Sequence, residues 1–144
     1  MANLSVDEIR EYVSDYAPNN YLIDGEEFSD TYITLCISLG VDGYNSMTPM
    51  SKFTELTFPS KGILLLGTCW QMFLGKAALL ARNTMQYSDG GLQIPIEERA
   101  ELYMSLSNSF RAQFREAAQA LKIQQNMESG WGEVRSDEAM FIPW

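Results

Sequence analysis

The chain has 144 residues, 46% hydrophobic and 20% charged, which is the size and balance of one globular domain and excludes a disordered chain or a fibrous repeat. It contains no histidine, so the usual general base, metal ligand and pH switch are all missing. Nineteen acidic against ten basic residues leave a formal charge of -9, which repels phosphates and disfavours tight nucleic-acid binding.

The first residues, Met1-Ala2-Asn3-Leu4-Ser5-Val6, carry neither a basic start nor an apolar run, so no signal peptide is expected, and a reducing cytoplasm is the expected place of synthesis. Ser5 followed by Glu8 is a capping-box pattern, and Ile9, Tyr12, Val13 and Tyr16 share one face, which predicts a short helix over residues 5–16. Pro18, Asn19 and Asn20 end it, and Asp24-Gly25 marks a turn. Over residues 26–39 the steps Phe28, Tyr32, Leu35 and Leu39 predict an amphipathic second helix. The β-branched residues between 32 and 37 leave a strand open as the alternative. Gly40, Asp42 and Gly43 are expected to close this element. Residues 45–60, with Pro49 and Pro59 around Phe53, Leu56 and Phe58, read as an ordered loop containing one short extended piece.

Residues 61–82 are the most apolar stretch, so a membrane span has to be weighed against a buried helix. Gln71 and Lys76 interrupt the run, and residues 62–75 supply fourteen uncharged positions where a span needs about 18 or more. Lys61, Thr68, Gln71, Gly75 and Arg82 form one narrow polar stripe, which predicts the central pillar of a bundle. Gly67 and Gly75 would let neighbours approach closely. Cys36 and Cys69 lie thirty-three residues apart in apolar segments, the pattern of two buried free thiols; a zinc site or a disulfide framework needs other spacings.

Residues 87–92, Tyr87-Ser88-Asp89-Gly90-Gly91-Leu92, read as a small hairpin or tight loop, since Asp-Gly-Gly tolerates positive φ. Pro95 suits a first helical turn. Ile96, Ala100, Tyr103, Ser107, Phe110, Phe114, Ala117 and Leu121 then alternate by four and three, a heptad-like seam that predicts a helix over residues 96–126, about 45 Å long at ~1.5 Å per residue. Such a rod exceeds what one small domain needs, which leaves two readings open: part of it packs on another molecule, or it is a lone long helix in a simple bundle. Gly130, Trp131 and Gly132 are expected to break it. The residues after them end in Ala139-Met140-Phe141-Ile142-Pro143-Trp144. The fold class that follows is all-α: a helical bundle over residues 1–127 with a long last helix and a hairpin or loop insertion, and an extended arm over residues 128–144.

Chemical motifs fail one by one. Gly75-Lys76-Ala77 resembles the end of a phosphate loop, but Trp70 stands where glycine is needed and Ala77 lacks the metal-holding hydroxyl. Asp24, Glu26, Glu27 and Asp30 lack the spacing of a calcium loop and suit a helix N-terminus instead, as do Glu97, Glu98 and Glu101. Two carboxylates meeting from distant positions are the one catalytic arrangement left open. The expectation is therefore a protein without enzymatic activity, with no catalytic, cofactor-binding or metal-ligating residues.

The opening Ser5-Val6-Asp7-Glu8-Ile9 helix, the apolar helix ending in Ala81-Arg82-Asn83, the Tyr87-to-Leu92 turn and the Ile94-Pro95-Ile96-Glu97 lead into the last helix together resemble the small helical connector proteins of tailed bacteriophages. These are the adaptor or neck proteins that join portal to tail. The resemblance implies a virion protein that forms a homo-oligomeric ring, contacts the portal and other neck or tail proteins, and meets DNA only as cargo in a channel, with no membrane and no cofactor. Trp131, Met140, Phe141, Ile142 and Trp144, with Tyr87 and Leu92 on the turn, are the expected partner-binding residues, the aromatic ones acting as anchors in a groove of an adjacent chain. Two other readings compete. An acidic regulatory protein could mimic DNA and block a host enzyme, although Arg99, Arg111, Arg115 and Lys122 interrupt its carboxylates; a small-molecule bundle lined by Met72, Phe73 and Phe110 is the third.

Overall fold

The computed structural model describes residues 3–20, 25–87 and 96–138, with side chains described over 3–20, 25–83 and 99–129. Among these the regular structure is wholly helical: α1 (Val6–Val13), a 3-10 turn (Ala17–Asn19), α2 (Asp30–Asn45), α3 (Lys61–Tyr87) and α4 (Ile96–Glu138). The middle helix is α3, packed against α2 on one side and α4 on the other, while α1 lies on α2.

The capping box forms as the sequence indicates: Ser5 Oγ accepts from the Glu8 amide, and the Glu8 carboxylate accepts from the Ser5 amide. α1 stops earlier than expected, because Ser14 turns left-handed at φ 55 and sends the chain towards a buried ionic knot. There the Asp15 carboxylate accepts from Arg10 Nη1 (3.0 Å), Asn20 Nδ2 (2.8 Å) and the amides of Glu27 (2.8 Å) and Phe28 (3.0 Å). Burial by itself would depress the Arg10 guanidinium; the carboxylates of Asp30, Glu26 and Asp15 outweigh it and hold the group more firmly protonated. The knot fixes the lead into α2 in place of helix, so α2 begins at Asp30, capped by Ser29, and not at residue 26.

α2 is a helix through the β-branched stretch that left a strand open, and its inner face differs from the one read from sequence. Ile33, Cys36, Ile37, Gly40, Val41 and Tyr44 are buried, stepping by three and four, whereas Leu35 and Leu39 are exposed. Gly40 and Gly43 do not close the element, which continues to Asn45. A Cβ at Gly40 would lie 3.2 Å from the Thr68 amide nitrogen and 3.3 Å from the Gly67 carbonyl carbon, so glycine here lets two helix backbones touch. The 46–60 connection holds no strand; Phe58 is fully buried against Tyr44 (centroids 5.0 Å), with Phe53 beside both.

Lys61–Asn83 is long and apolar enough to cross a membrane by length and composition. In this fold Ile63, Leu64, Cys69, Met72, Phe73 and Ala77 are buried in the shared core. Thr68, expected on the solvent stripe, is also buried and returns its hydroxyl to the Leu64 carbonyl at 2.8 Å. Gly67 and Gly75 do sit at close approaches: a Cβ on the first would crowd Phe114, and on the second would overlap the Tyr32 hydroxyl, which donates to the Met72 carbonyl. Cys36 and Cys69 are buried free thiols.

The seam of α4 faces the core as its spacing indicates. Ser107 and Phe114 are buried, Tyr103, Phe110, Ala117 and Leu121 are half-buried, and Ala118 and Lys122 join them as the helix turns past its heptad. Phe73 stacks between Tyr103 and Phe110 (centroids 5.7 Å each). Two polar clamps fix its position. Near one end the Tyr103 hydroxyl donates to the Glu27 carboxylate at 2.8 Å, which also pairs with Lys76 and Arg99. Farther along, the Lys122 ammonium donates to the Pro49 carbonyl (2.6 Å) and the Ser51 hydroxyl (3.2 Å), 4.4 Å above the Tyr44 ring. The helix does not break at Gly130-Trp131-Gly132 and stays helical to Glu138, so residues 128–138, expected in an extended arm, belong to the rod. Glycine in a helix costs about 1 kcal/mol relative to alanine and does not terminate it without a following turn. Residues 139–144 and the 88–92 turn lie outside the described residues.

Candidate interaction surface of the long helix

At ~1.5 Å per residue the 43 residues of α4 reach about 65 Å. The last described hydrogen bond between α4 and the body is the Tyr44 hydroxyl donating to Gln125 Oε1 at 3.0 Å. Residues 126–129 are all exposed, and the helix runs thirteen residues past Gln125, about 20 Å.

Three lengthwise faces can be distinguished on α4 at 100° per residue. The buried seam is the first. On one flank Leu102, Leu106, Ser109, Gln113, Glu116, Ala120, Ile123 and Met127 repeat by four and three, and every one is exposed. This flank is apolar at both ends and polar in the middle. Leu102 at 64%, Ile123 at 61% and Met127 at 55% exposure are large side chains that the fold itself leaves uncovered.

The opposite flank carries Arg111 and Arg115, one helical turn apart. They border a groove of ≈ 430 Å³ whose other walls are Gly43 from the end of α2, Met47 just beyond it, Trp70 from α3 and Phe114 from α4. Trp70 is set by its neighbours: its ring lies 5.8 Å from that of Phe114, and its carbonyl accepts from Ser107 Oγ at 3.1 Å. Arg111 lies 5.7 Å from the centre of the Trp70 ring, a cation–π contact that orients the guanidinium at the groove. Arg10, Lys61, Lys76 and Arg99 all pair with carboxylates; Arg111 and Arg115 have no carboxylate partner among the described residues. In a chain of charge -9, two arginines beside an indole make a local site for a carboxylate-bearing, partly aromatic segment.

Of the residues expected to bind partners, Tyr87 ends α3 and Trp131 lies within α4, and their side chains are not among those described. Leu92, Met140, Phe141, Ile142 and Trp144 lie outside the described residues. The groove itself was missed in the sequence, where Arg111 and Arg115 read only as interruptions of an acidic surface. Their spacing of four on the flank of a heptad seam was the available signal; Trp70 comes from a different helix, which spacing cannot show.

The thiols are chemically quiet, since burial pushes Cys36 up to about 11 and Cys69 to about 12. No group of three or more Cys, Asp or Glu that could hold a metal ion occurs among the described residues. No protein-family model, curated protein or solved structure matches the chain.

Proposed function

We propose that this chain is a structural assembly protein whose copies join through α4, and that it serves as a head-tail connector of a tailed bacteriophage, an adaptor ring between portal and tail. The observation that carries the assembly reading is α4 itself. A 43-residue helix, thirteen residues of it beyond the last described hydrogen bond to the body, with large apolar side chains uncovered along one flank, is poorly explained as part of an isolated monomer. The connector assignment adds the resemblance of the helix and turn pattern to that family. On this reading the negative surface keeps DNA passing through the ring from sticking.

Native mass spectrometry of the purified chain across a concentration series tests the assembly, and co-purification with portal and neck proteins tests the position. A closed ring, or entry into particles, is the expected result. A chain truncated after Asn126 should keep its bundle but lose assembly; normal incorporation of that truncated chain would rule out the role of the helix tip.

A further inference from the structure

The Arg111–Arg115 groove lies on the flank of α4 opposite the Leu102–Leu106 stripe, so the two cannot face the same neighbour in a side-by-side pair. Resting on the assembly reading above, we propose that the groove receives residues 137–144 of a second copy, with Asp137 and Glu138 paired to Arg111 and Arg115, and the apolar stretch that follows laid against Trp70 and Met47.

Charge selects this occupant. The groove offers two guanidinium groups with no carboxylate partner among the described residues, and the segment offers two adjacent carboxylates followed by Ala139-Met140-Phe141-Ile142-Pro143-Trp144, an uncharged run with two large aromatic rings. Arginine presents a fork that suits carboxylates, and Trp70 supplies an aromatic wall for the rings. Geometry makes the contact intermolecular. Asp137 is twenty-two residues beyond Arg115 on one continuous helix, about 33 Å away, so the acids of a chain cannot turn back onto its own arginines. A groove on one copy filled by the tip of the next is a head-to-tail contact, the kind that closes into a ring when its rotation permits.

The test uses three full-length variants: R111E/R115E, D137R/E138R, and the four changes together, each followed by sedimentation velocity and native mass spectrometry over concentration, with circular dichroism to confirm the helical content. Arg111 and Arg115 are exposed, so the core is untouched. Either double variant should weaken association by roughly tenfold to 100-fold, and the fourfold variant should recover most of it, because the charges are again opposed. If the unaltered chain assembles but neither double variant weakens it, or the fourfold variant recovers nothing, the groove assignment is overturned while the assembly reading stands. A chain that remains monomeric at every concentration overturns both.

Discussion

At Gly67 both α2 and α4 press close against α3, and replacing it by alanine tests that geometry. An added Cβ would lie 2.8 and 3.1 Å from two ring carbons of Phe114 and 3.4 Å from Gly40 Cα, against a relaxed carbon–carbon contact of about 3.5–4.0 Å. The Phe114 ring, 1% exposed and packed on Trp70, has to move by roughly half an ångström or more into an occupied core. Overpacking of this kind costs about 1–3 kcal/mol, while alanine gains up to about 1 kcal/mol over glycine in a helix. Gly62 is the internal reference: it lies in the same helix with nothing within 4 Å of an added Cβ, so Gly62→Ala shows the backbone gain alone. Gly67→Ala should therefore be less stable than Gly62→Ala by about 1–3 kcal/mol in urea unfolding followed by circular dichroism, with an unchanged slope. In a Phe114→Leu background the penalty should shrink by at least about 1 kcal/mol, the signature of direct coupling. Equal stability of the two alanine variants, or zero coupling to Phe114, would refute the proposed crossing.

Asp15→Ala deprives the Arg10 cation of one buried partner and leaves the Glu27 and Phe28 amides without their acceptor, so it should cost about 3–5 kcal/mol in the same assay; a loss below about 1 kcal/mol would show that the knot is dispensable. Both thiols have folded-state pKa values raised by burial, so their contribution is intact below the unfolded value near 9 and drains away as pH climbs towards about 11 for Cys36 and about 12 for Cys69. Relative to Cys69→Ala, the unaltered chain should lose about 2 kcal/mol between pH 9 and pH 11, and parallel pH profiles would contradict the burial of this thiol. Replacing Gly130 and Gly132 by alanine should strengthen the helical signal at 222 nm and raise its persistence on heating, because α4 is already helical there; a weaker signal would mean that the glycines serve a turn.

What could be read from the sequence was whatever depends on neighbours along the chain. The Ser5–Glu8 cap and the 103–121 seam are local spacing patterns, and both appear where the spacing puts them. The inner face of α2 was misassigned because Leu35 and Leu39 outrank Cys36 and Gly40 in hydrophobicity, while the contact with α3 requires small residues, a demand set by a helix more than twenty positions away. Glycines 40, 43, 130 and 132 carry the local signature of a stop, yet the chain continues through each as helix. The arginine groove needs Trp70 from α3 beside Arg111 from α4, a pairing that no spacing rule along one helix contains.

The Glu27–Tyr103 and Lys122–Pro49 clamps lie nineteen residues apart on α4, about 28 Å, and both fasten it to the rest of the molecule. A beam fastened at these points and at Gln125, with no described attachment past that residue, behaves as a cantilever. A pull on its tip is resisted along the axis, since sliding would break both attachments at once, and a sideways push arrives at the body as torque about the Lys122 mount. The end of α2 at Tyr44 and the adjoining 46–60 segment that carries Pro49 and Ser51 are therefore the parts of the molecule that would feel a neighbour's tug first.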